Sequence, residues 1–424
     1  MAQFHRIKGT HDILPQDARK WRYVEGVVQE VMQRYNFSEI RTPIFEETAL
    51  FARGIGQLTD IVSKEMYTFL DRGEKSLTLK PEGTAPVIRA FIEHNLGEKK
   101  PVHKLYYISP MFRQENPQAG RLRQFHQFGA ELIGSPAPEA DVETIALAVD
   151  IYERFGLKQF TLKINSVGDA ACRVPYKEQL QAFLRPRLDK LCRSCQERFE
   201  KNPLRILDCK EEGCREQTAE APRITDHLCE ACHHHFEAVK TLLNRLEIAF
   251  EVDHRLVRGL DYYTRTAFEI ISGSLGAQNA LGGGGRYDLL AEELGGKPTP
   301  SVGFAAGIER LLMVLEKENL LPEFQEGPDV FIATLGEAAK TWAIPAARRL
   351  RRQGFKVDYD FMGRSLKAQM KEANRSGARF ALIVGDNELQ AGEVVLRDLT
   401  TSEQETVAMD TIDEMLRQRT ASHS

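Results

Sequence analysis

The C-terminal part of the chain alternates between short apolar runs and amphipathic stretches. The run DVFIATL lies between Pro328 and Gly336 and predicts a buried strand. Apolar residues then recur at helical spacing and stop before Gly354, which suits a helix C-cap. KVDYDF, RFALIV and GEVVLRDL predict further strands, and a second amphipathic stretch ends at Gly377. This alternation predicts an α/β domain over residues 328–424 with a largely parallel sheet.

Residues 1–325 follow a different pattern. Helical periodicity covers residues 17–35, 84–96 and 140–155, and strand-like runs such as LYYISPMFRQ and QFHQFGAELIG lie between these stretches. Because several strands follow one another through polar or Gly-rich connections, we expect an antiparallel sheet with flanking helices. Residues 168–249 are mostly helical, charged and rich in cysteine, and we expect them to form an insertion. The predicted fold class is therefore α+β, with the α/β domain following a linker, LLPEFQEGP.

Charge is unevenly distributed along the chain. The net charge of the 424 residues is −4, which argues against non-specific coating of nucleic acid. Between Lys340 and Arg379, however, eleven Lys or Arg side chains accompany three acidic ones. This basic segment forms either a solvated helix surface or a local contact to a phosphate backbone. Neither a signal peptide nor an apolar stretch of about 18 residues occurs, so we expect a cytoplasmic protein with no membrane span.

The sequence contains no glycine-rich phosphate loop of the Walker or Rossmann type. Any ATP bound by this chain must therefore be held by side chains. Arg113 lies in a predicted long hairpin, SPMFRQENPQAGRLRQFHQFGAELIG, which also offers Glu115, Phe125 and Glu131. Taken alone, this segment is better explained as a surface hairpin with ordinary charges and a core Phe.

Two further segments carry candidate binding residues. LVRGLDYYTRTAFEI places Arg258, Tyr262 and Tyr263 around Asp261, and such groups suit a small polar ligand. Buried tyrosines at a strand-to-turn segment would give the same pattern. SVGFAAGIERLLMVLE places Arg310 near the start of a helix, where anions bind. A tightly packed helix start with a surface arginine is the alternative for this segment.

The three segments, taken together and in this order, resemble the class II aminoacyl-tRNA synthetases, in particular the histidyl-tRNA synthetases. RTPIFEETALFARGIG resembles the dimer-forming first motif, FRQENPQAGRLRQFHQFGAE the second and GFAAGIERL the third. LVRGLDYYTRTAFEI and LGGGGRYDLL resemble two histidine-specific signatures, and TLKPEGTAP resembles the segment that holds the ammonium group of the amino acid. The resemblance spans essentially the whole chain. It implies a class II synthetase-type sheet, an anticodon-binding C-terminal domain and a homodimer.

The resemblance also implies a two-step reaction. The carboxylate of L-histidine attacks the α-phosphorus of ATP, giving histidyl-adenylate and pyrophosphate. The adenylate then esterifies the terminal ribose of tRNA(His). ATP would enter with Mg²⁺ bridging its β- and γ-phosphates. Because the nucleophile is already a carboxylate and charge builds on phosphoryl oxygens, we expect positioning and cations to dominate catalysis.

Roles for individual residues follow from the same resemblance. Arg113 and Arg258 would grip the α-phosphate from opposite sides as the catalytic residues, and Arg310 would hold the γ-phosphate. The adenine would stack on Phe125, with Glu115 nearby. The implied histidine-binding residues are Glu82, Gly83, Thr84 and Gln127 at the ammonium end, Glu131 and Tyr263 at the two ring nitrogens, and Tyr262 along the ring. Two polar partners would reject ring isosteres that leave those partners unpaired.

Two positions depart from the family pattern, since Lys80 and Asn116 stand where arginines are usual.

Two other functions are also compatible with parts of the sequence. One is a synthetase-like regulatory subunit of histidine biosynthesis, which generally lacks the anticodon-binding domain. The other is a class II ligase for another amino acid, such as proline or threonine. The C-terminal domain and the three arginines argue against the first, and RGLDYY and GGGGRYD argue against the second.

Six of the seven cysteines follow the spacing C-x₂-C-x₁₃-C-x₄-C-x₁₄-C-x₂-C. Two C-x₂-C knuckles suit a tetrahedral zinc site, and disulfides are disfavoured in the cytosol. The alternative is a set of free thiols without metal, and His227 and residues 233–235 are substitute ligands. The spacing leaves open which of the six cysteines would bind the metal, and the predicted zinc site uses the two outer knuckles, Cys192, Cys195, Cys229 and Cys232. Cys172 is expected to be a plain thiol.

Overall fold

The chain folds into two compact units, Met1–Leu321 and Pro322–Ser424. The computed structural model describes residues 4–56, 59, 61–118, 120–324 and 327–421. Both units combine helices with strands. Among the helices of the described ranges, none is long and apolar enough to cross a lipid bilayer.

The larger unit is built around an eight-stranded sheet and has a second, three-stranded sheet. Its strands in chain order are β1 (Ser38–Glu39), β2 (Phe45–Glu47), β3 (Tyr67–Leu70), β4 (Ser76–Leu79), β5 (His103–Phe112), β6 (Gln124–Ile133), β7 (Thr161–Ser166), β8 (Glu251–Val252), β9 (Thr264–Ile271), β10 (Ala280–Arg286) and β11 (Ser301–Gly307). The spatial orders are β1-β5-β6-β11-β10-β9-β7-β8 and β2-β4-β3. The pairs in the large sheet are antiparallel except β1–β5 and β7–β8, in which the edge strand has two residues. The predicted antiparallel sheet is confirmed.

Helices cover the sheet, and the longest of them match the predicted periodicity closely. In chain order they are α1 (Pro15–Arg34), α2 (Thr48–Gly54), α3 (Thr84–Glu93), α4 (Leu96–Lys99), α5 (Pro138–Arg154), α6 (Ala170–Leu184), α7 (Arg193–Lys201), α8 (Leu204–Leu207), α9 (Glu212–Gln217), α10 (Glu230–Arg245), α11 (Leu290–Glu293) and α12 (Ile308–Lys317). Helices α1 and α5 begin at prolines, whose fixed φ suits the first helical turn. The apolar sides of α1, α5 and α12 form the main core with β6, β9 and β11.

The cysteine-rich segment between β7 and β8 is helical. It contains α6–α10 and two short 3₁₀ turns, Arg185–Lys190 and Ile224–His227. Its apolar side chains form a separate, smaller core that includes Tyr176, Leu180, Leu184, Phe199 and Ile206. This core excludes little surface from water compared with the main one, so apolar packing alone stabilises the segment only modestly.

A buried ion pair ties α5 to the glycine-rich strand β10. Neither the Arg286 nor the Asp141 side chain is exposed, and Arg286 Nε lies 3.1 Å from Asp141 Oδ2. The remaining guanidinium hydrogens bind the carbonyl oxygens of Ser135 and Ala137 and the carboxylate of Asp288. Because every polar group has a partner, the pair is compatible with burial, whereas loss of one member would leave an unpaired charge.

The smaller unit has a five-stranded sheet. Its elements are β12 (Val330–Leu335), α13 (Glu337–Arg352), β13 (Val357–Tyr359), α14 (Leu366–Arg375), β14 (Phe380–Gly385), α15 (Asp386–Ala391), β15 (Glu393–Asp398), β16 (Gln404–Ala408) and α16 (Ile412–Ala421). β13, β12 and β14 are parallel, but β15 and β16 are added antiparallel. The expectation of a largely parallel sheet was therefore only half right. The connection from β14 to β15 holds only the short helix α15, and a parallel crossover needs a dozen or more residues.

Candidate active site

One face of strand β6 carries three of the residues predicted for ligand binding. Phe125, Gln127, Gly129 and Glu131 alternate along this ten-residue strand and therefore point to the same side of the sheet. On β5, Tyr107 stands opposite Gly129. The sequence predicted the hairpin but could not give its register, which decides these neighbours.

Glycines keep this face of the sheet clear of side chains. A Cβ at Gly303 on β11 would lie 1.7 Å from Oε2 of Glu131. A Cβ at Gly283 on β10 would lie 2.7 Å from Nη1 of Arg258. Real Cβ atoms do not approach other atoms this closely, so the GGGG run and Gly303 leave room for the functional side chains to lie over the sheet.

Glu131 lies at the buried end of this face with no exposed surface. Thr84 Oγ1 lies 2.7 Å from Oε1 of Glu131, and the Tyr287 hydroxyl is hydrogen-bonded to Oε2. Burial raises the pKa of Glu131 to about 8, although both hydrogen bonds act in the opposite direction. This carboxyl group therefore gains or loses its proton close to neutral pH.

A second buried carboxyl group, that of Glu82, lies two residues before the start of helix α3. Glu82 accepts hydrogen bonds from the backbone N–H groups of Thr84 at 2.7 Å and Ala85 at 2.9 Å. Burial raises the pKa of Glu82, although those two backbone N–H groups favour its ionised form. Nearby, Gln127 Oε1 and the Tyr107 hydroxyl are buried and find no hydrogen-bond partner within the described part of the chain. Buried polar atoms without partners are uncommon and suit contact with a polar ligand.

Three tyrosine rings close this end of the site. The rings of Tyr262 and Tyr263 lie 4.7 Å apart, and Tyr262 meets Tyr287 edge-on at 5.6 Å. All three side chains are buried. The carbonyl oxygen of Tyr263 accepts a hydrogen bond from Arg173 at the start of α6. The cysteine-rich segment therefore directly contacts the backbone of residues 259–263, here called the tyrosine loop.

Arg113 contacts both the segment that carries Glu82 and the ring of Phe125. Its Nε donates to the carbonyl oxygen of Pro81 at 2.9 Å, next to Glu82 in the chain. Its guanidinium carbon lies 5.2 Å from the centre of the Phe125 ring, which is within cation–π range. Glu115 lies 3.8 Å from Nη1 of Arg113. The cation, the carboxylate and the aromatic ring predicted for this hairpin are thus close together.

Arg258 extends over the glycine-rich strands. Its Nη1 donates to Oε1 of Glu269 on β9 at 3.0 Å, and its guanidinium carbon lies 5.9 Å from the Tyr263 ring centre. Its Nε is buried, and no partner for it occurs among the residues that the structure describes. An unpartnered buried N–H donor of this kind suits contact with an anion.

Arg310 completes the group of arginines. Its Nε donates to the carbonyl oxygen of Gly120 and its Nη1 to that of Ala280, each at 2.9 Å. Burial lowers the pKa of Arg310, and the positive charges of Arg121 and Arg113 lower it further. A guanidinium group with two further arginine charges close to it forms a site that an anion would stabilise.

Four residues of this site were missed by the sequence analysis: Tyr107, Tyr287, Glu269 and Arg121. Tyr287 lies two residues after the last glycine of the GGGG run, and that position could have suggested a role for it. Tyr107 and Glu269 belong to strands whose register the sequence does not reveal, so nothing distinguished them from ordinary strand residues.

The cysteines form two groups, and the predicted single site is wrong. Cys192 and Cys195 lie with Cys209 and Cys214, whereas Cys229 and Cys232 lie with Asp169 and Cys172. The two knuckles lie in separate groups because each packs against a different cysteine. The backbone N–H of Cys192 points at Cys214 Sγ and that of Cys229 at Cys172 Sγ, both at 3.1 Å. Cys172 is therefore not an isolated thiol. Neither group includes His227 or residues 233–235.

Comparison with known proteins identifies the family. The sequence model described as Histidyl-tRNA synthetase matches residues 9–311, and that described as Anticodon binding domain matches residues 329–419. The chain belongs to the histidyl-tRNA synthetase family. The histidine–tRNA ligase of Desulforamulus reducens is 50% identical over 415 residues, covering 98% of this chain and 99% of the relative. The family predicted from the sequence motifs is thereby confirmed.

Solved structures agree with this assignment. The apo histidyl-tRNA synthetase of Staphylococcus aureus has a TM-score of 0.83 and 43% identity, covering 98% of this chain and all of the other. The α+β fold class is thus confirmed. A Bacillus halodurans protein described as an ATP phosphoribosyltransferase regulatory subunit/histidyl-tRNA synthetase has a TM-score of 0.66, 22% identity and coverage of 91% of this chain and 100% of the other. At that identity the likeness concerns the fold alone.

Proposed function

We propose that this chain is a histidine–tRNA ligase, an aminoacyl-tRNA synthetase that joins L-histidine to tRNA(His) through histidyl-adenylate. The observation that carries the proposal is the arrangement on one face of the sheet. A buried carboxyl group, Glu131, is surrounded by hydroxyl groups, and it shares the face of β6 with the arginine end of the site. A small polar ring and a polyphosphate would fit these two ends, and membership of the family agrees with that pairing.

The histidine end offers a partner for each polar group of the amino acid. Glu131 and Tyr263 would bind the two imidazole nitrogens, with Tyr262 along the ring. The ammonium group would contact Glu82, Thr84 and Gln127, whose Oε1 is buried without a partner among the described residues. Gly83 is needed beside them because a Cβ there would lie 2.3 Å from Cζ of Tyr107.

The arginine end would hold ATP, which enters as its Mg²⁺ complex. Arg113 and Arg258 would bind the α-phosphate from two sides, and Arg310 the γ-phosphate. Phe125 would stack on adenine beside Glu115. Since the histidine carboxylate is itself the nucleophile, no general base is needed for adenylate formation. The three guanidinium groups would instead stabilise charge that builds on the phosphoryl oxygens, at fixed positions that require no reorganisation.

The C-terminal unit would bind the anticodon region of the tRNA. Its family model carries that description, and basic side chains on α13 and α14, including Arg348, Lys367 and Lys371, are exposed. Such residues suit contacts to a phosphate backbone. We also propose two domains, residues 1–325 with the insertion at 168–249, and residues 328–424.

The working enzyme is proposed to be a cytoplasmic homodimer. Large apolar side chains on and beside the three-stranded sheet are exposed in the single chain, among them Phe45, Phe69 and Leu70. A second copy would cover them. Sedimentation analysis should give twice the chain mass of 48.0 kDa, and Phe45→Glu should shift the protein toward the monomer.

The proposal is tested by ATP–pyrophosphate exchange with each of the twenty amino acids. Exchange should depend on histidine alone. A regulatory subunit would show no exchange, and a ligase for another amino acid would show exchange that depends on that amino acid. Tyr263→Phe removes one proposed ring contact and should raise the KM for histidine about 10-fold. Tyr359→Phe, in the other unit, is the matched control and should leave that KM unchanged. Absence of exchange in the unmodified protein would refute the proposal.

A further inference from the structure

All seven cysteines belong to two compact groups outside the proposed active site. In the first group, the sulfur atoms of Cys192, Cys195, Cys209 and Cys214 all lie within 4.8 Å of one another. In the second, the same limit holds for a carboxylate oxygen of Asp169 and the sulfur atoms of Cys172, Cys229 and Cys232. All seven are free thiols.

The two groups are built in the same way. Each contains a C-x₂-C knuckle whose first cysteine is the N-cap of a helix: Cys192 for α7 (φ −62°, ψ 156°) and Cys229 for α10 (φ −64°, ψ 161°). The second cysteine, Cys195 or Cys232, lies in the first turn of that helix and is buried. The backbone N–H of each N-cap cysteine then points at the sulfur of a cysteine outside the knuckle. N–H groups directed at sulfur stabilise thiolate ligands.

Asp169 is oriented to supply the fourth ligand of the second group. Its Oδ1 accepts hydrogen bonds from the backbone N–H groups of Ala171 at 3.0 Å and Cys172 at 3.3 Å, so it is the N-cap of α6. Its Oδ2 is directed to the other side and lies 3.9 Å from Cys229 Sγ. A carboxylate held through one oxygen, with the other facing three sulfur atoms, is a ready monodentate metal ligand.

The dimensions suit a single tetrahedral metal ion in each group. Zinc–sulfur bonds of about 2.3 Å place tetrahedral sulfur atoms roughly 3.8 Å apart. Cys192 Sγ and Cys209 Sγ are 4.0 Å apart, which needs only a small contraction. Four sulfur ligands, or three with one carboxylate, select zinc among the common divalent ions. The small core of this segment also gives a metal a structural purpose, since metal binding would add to its folding free energy.

Both groups are connected to the tyrosine loop of the active site. Arg173, next to Cys172, hydrogen-bonds the carbonyl oxygens of Val167 and Tyr263. From the segment that carries the first group, Asn202 Nδ2 donates to Asp261 Oδ1 at 2.7 Å and Arg205 Nη1 to the carbonyl oxygen of Gly259 at 3.0 Å. The backbone that presents Tyr262 and Tyr263 is therefore held from the cysteine-rich segment.

We propose that the chain binds two structural zinc ions, one in the Cys₄ group and one in the Asp-Cys₃ group, and that they position the tyrosine loop. The second half of this proposal rests on the proposed function, because the loop matters only if it binds histidine. Zinc binding itself is independent of the reaction.

Elemental analysis of protein purified without chelators tests the metal sites directly. The unmodified chain should contain two zinc ions. Cys209→Ser with Cys214→Ser, or Asp169→Asn with Cys172→Ser, should each leave one. The controls Ser194→Ala and Ala231→Ser lie inside the two knuckles but replace no ligand, so they should retain two. Cobalt substitution should give stronger sulfur-to-cobalt absorption for the Cys₄ site alone than for the Asp-Cys₃ site alone.

The unmodified protein decides the matter even where a variant fails to fold. If the unmodified protein contains no zinc, or contains iron in place of zinc, the proposal is overturned. One zinc per chain would overturn one of the two sites. Removal of zinc by a chelator should raise the KM for histidine in the exchange assay at least about 5-fold, and added zinc should restore it. An unchanged KM after zinc loss would refute the positioning role. Loss of exchange in the zinc-loaded protein would instead contradict the proposed function.

Discussion

Replacing Glu131 by glutamine tests whether burial keeps this carboxyl group protonated near neutral pH. Its pKa is raised from 4.5 to about 8 in the folded chain, chiefly by burial. Between pH 4.5 and about pH 8, Glu131 keeps its proton in the folded chain but loses it in the unfolded chain. The stabilisation from the neutral carboxyl group is therefore complete below about pH 4.5 and is lost as the pH rises to about 8, by about 1.4 kcal/mol per pH unit. Glutamine cannot ionise, so Glu131→Gln removes this pH dependence.

The predicted change is large enough to measure. From pH 5.5 to pH 7.5, the free energy of unfolding of the parent should fall relative to that of Glu131→Gln by about 2–3 kcal/mol. Urea titrations followed by tryptophan fluorescence give this difference. The chain has two tryptophans, and Trp21 packs against the main core whereas Trp342 packs in the smaller unit. A Trp342→Phe background therefore confines the signal to the larger unit, which contains Glu131.

The comparison cancels other titrating groups because they are common to both proteins. Glu292→Gln serves as the matched control, since that side chain is exposed on α11 and its replacement should give a difference that does not vary with pH. A constant difference for Glu131→Gln as well would mean that Glu131 is ionised across the whole range. In that case burial would not dominate at this position, and burial as the cause of a raised pKa would be refuted.

Three further predictions address other parts of the molecule. Arg258→His should slow histidine-dependent ATP–pyrophosphate exchange by about 10²–10³, because one stabiliser of phosphoryl charge becomes largely neutral; near-normal exchange would exclude Arg258 from the mechanism. Arg286→Met should lower the free energy of unfolding of the larger unit by about 3–5 kcal/mol in urea titrations, because Asp141 would lose its main partner; a loss below about 1 kcal/mol would contradict this. Deletion of residues 327–424 should leave adenylate formation intact but weaken tRNA charging, and normal charging by the shortened chain would overturn the role of the C-terminal unit.

The sequence predicted the elements well where one physical signal dominates. Apolar residues at helical spacing located α1 and α5 to within two residues, since one side of each helix must be buried. The C-terminal strands were found in the same way, but their directions were not. Strand direction depends on connection length, and the antiparallel strand β16 escaped notice because its residues are mostly exposed.

The candidate site was predicted by resemblance rather than by physics. Arg113, Arg258 and Arg310 are far apart in the chain, and each segment alone has an ordinary structural explanation. Their closeness depends on the register of β6, β9, β10 and β11, which no local pattern encodes. The predicted ligand set of a single zinc site was wrong for a related reason. Spacing identifies a knuckle but not its partners, and the partner group of Cys229 and Cys232 includes Asp169 and Cys172, which lie outside the cysteine spacing.

The position of the cysteine-rich segment follows from the order of the strands. β7 runs antiparallel to β9, so Ser166 at the end of β7 stands opposite Thr266 near the start of β9. The cysteine-rich segment follows Ser166 at the end of β7, and the tyrosine loop leads into the start of β9. Backbone hydrogen bonds from Val167 to Arg265 and from Arg265 to Gly168 join the two connections. Any chain inserted after β7 must therefore begin beside Tyr262 and Tyr263. A metal-stabilised insertion at this point can hold the loop from outside without placing a residue of its own against the ligand.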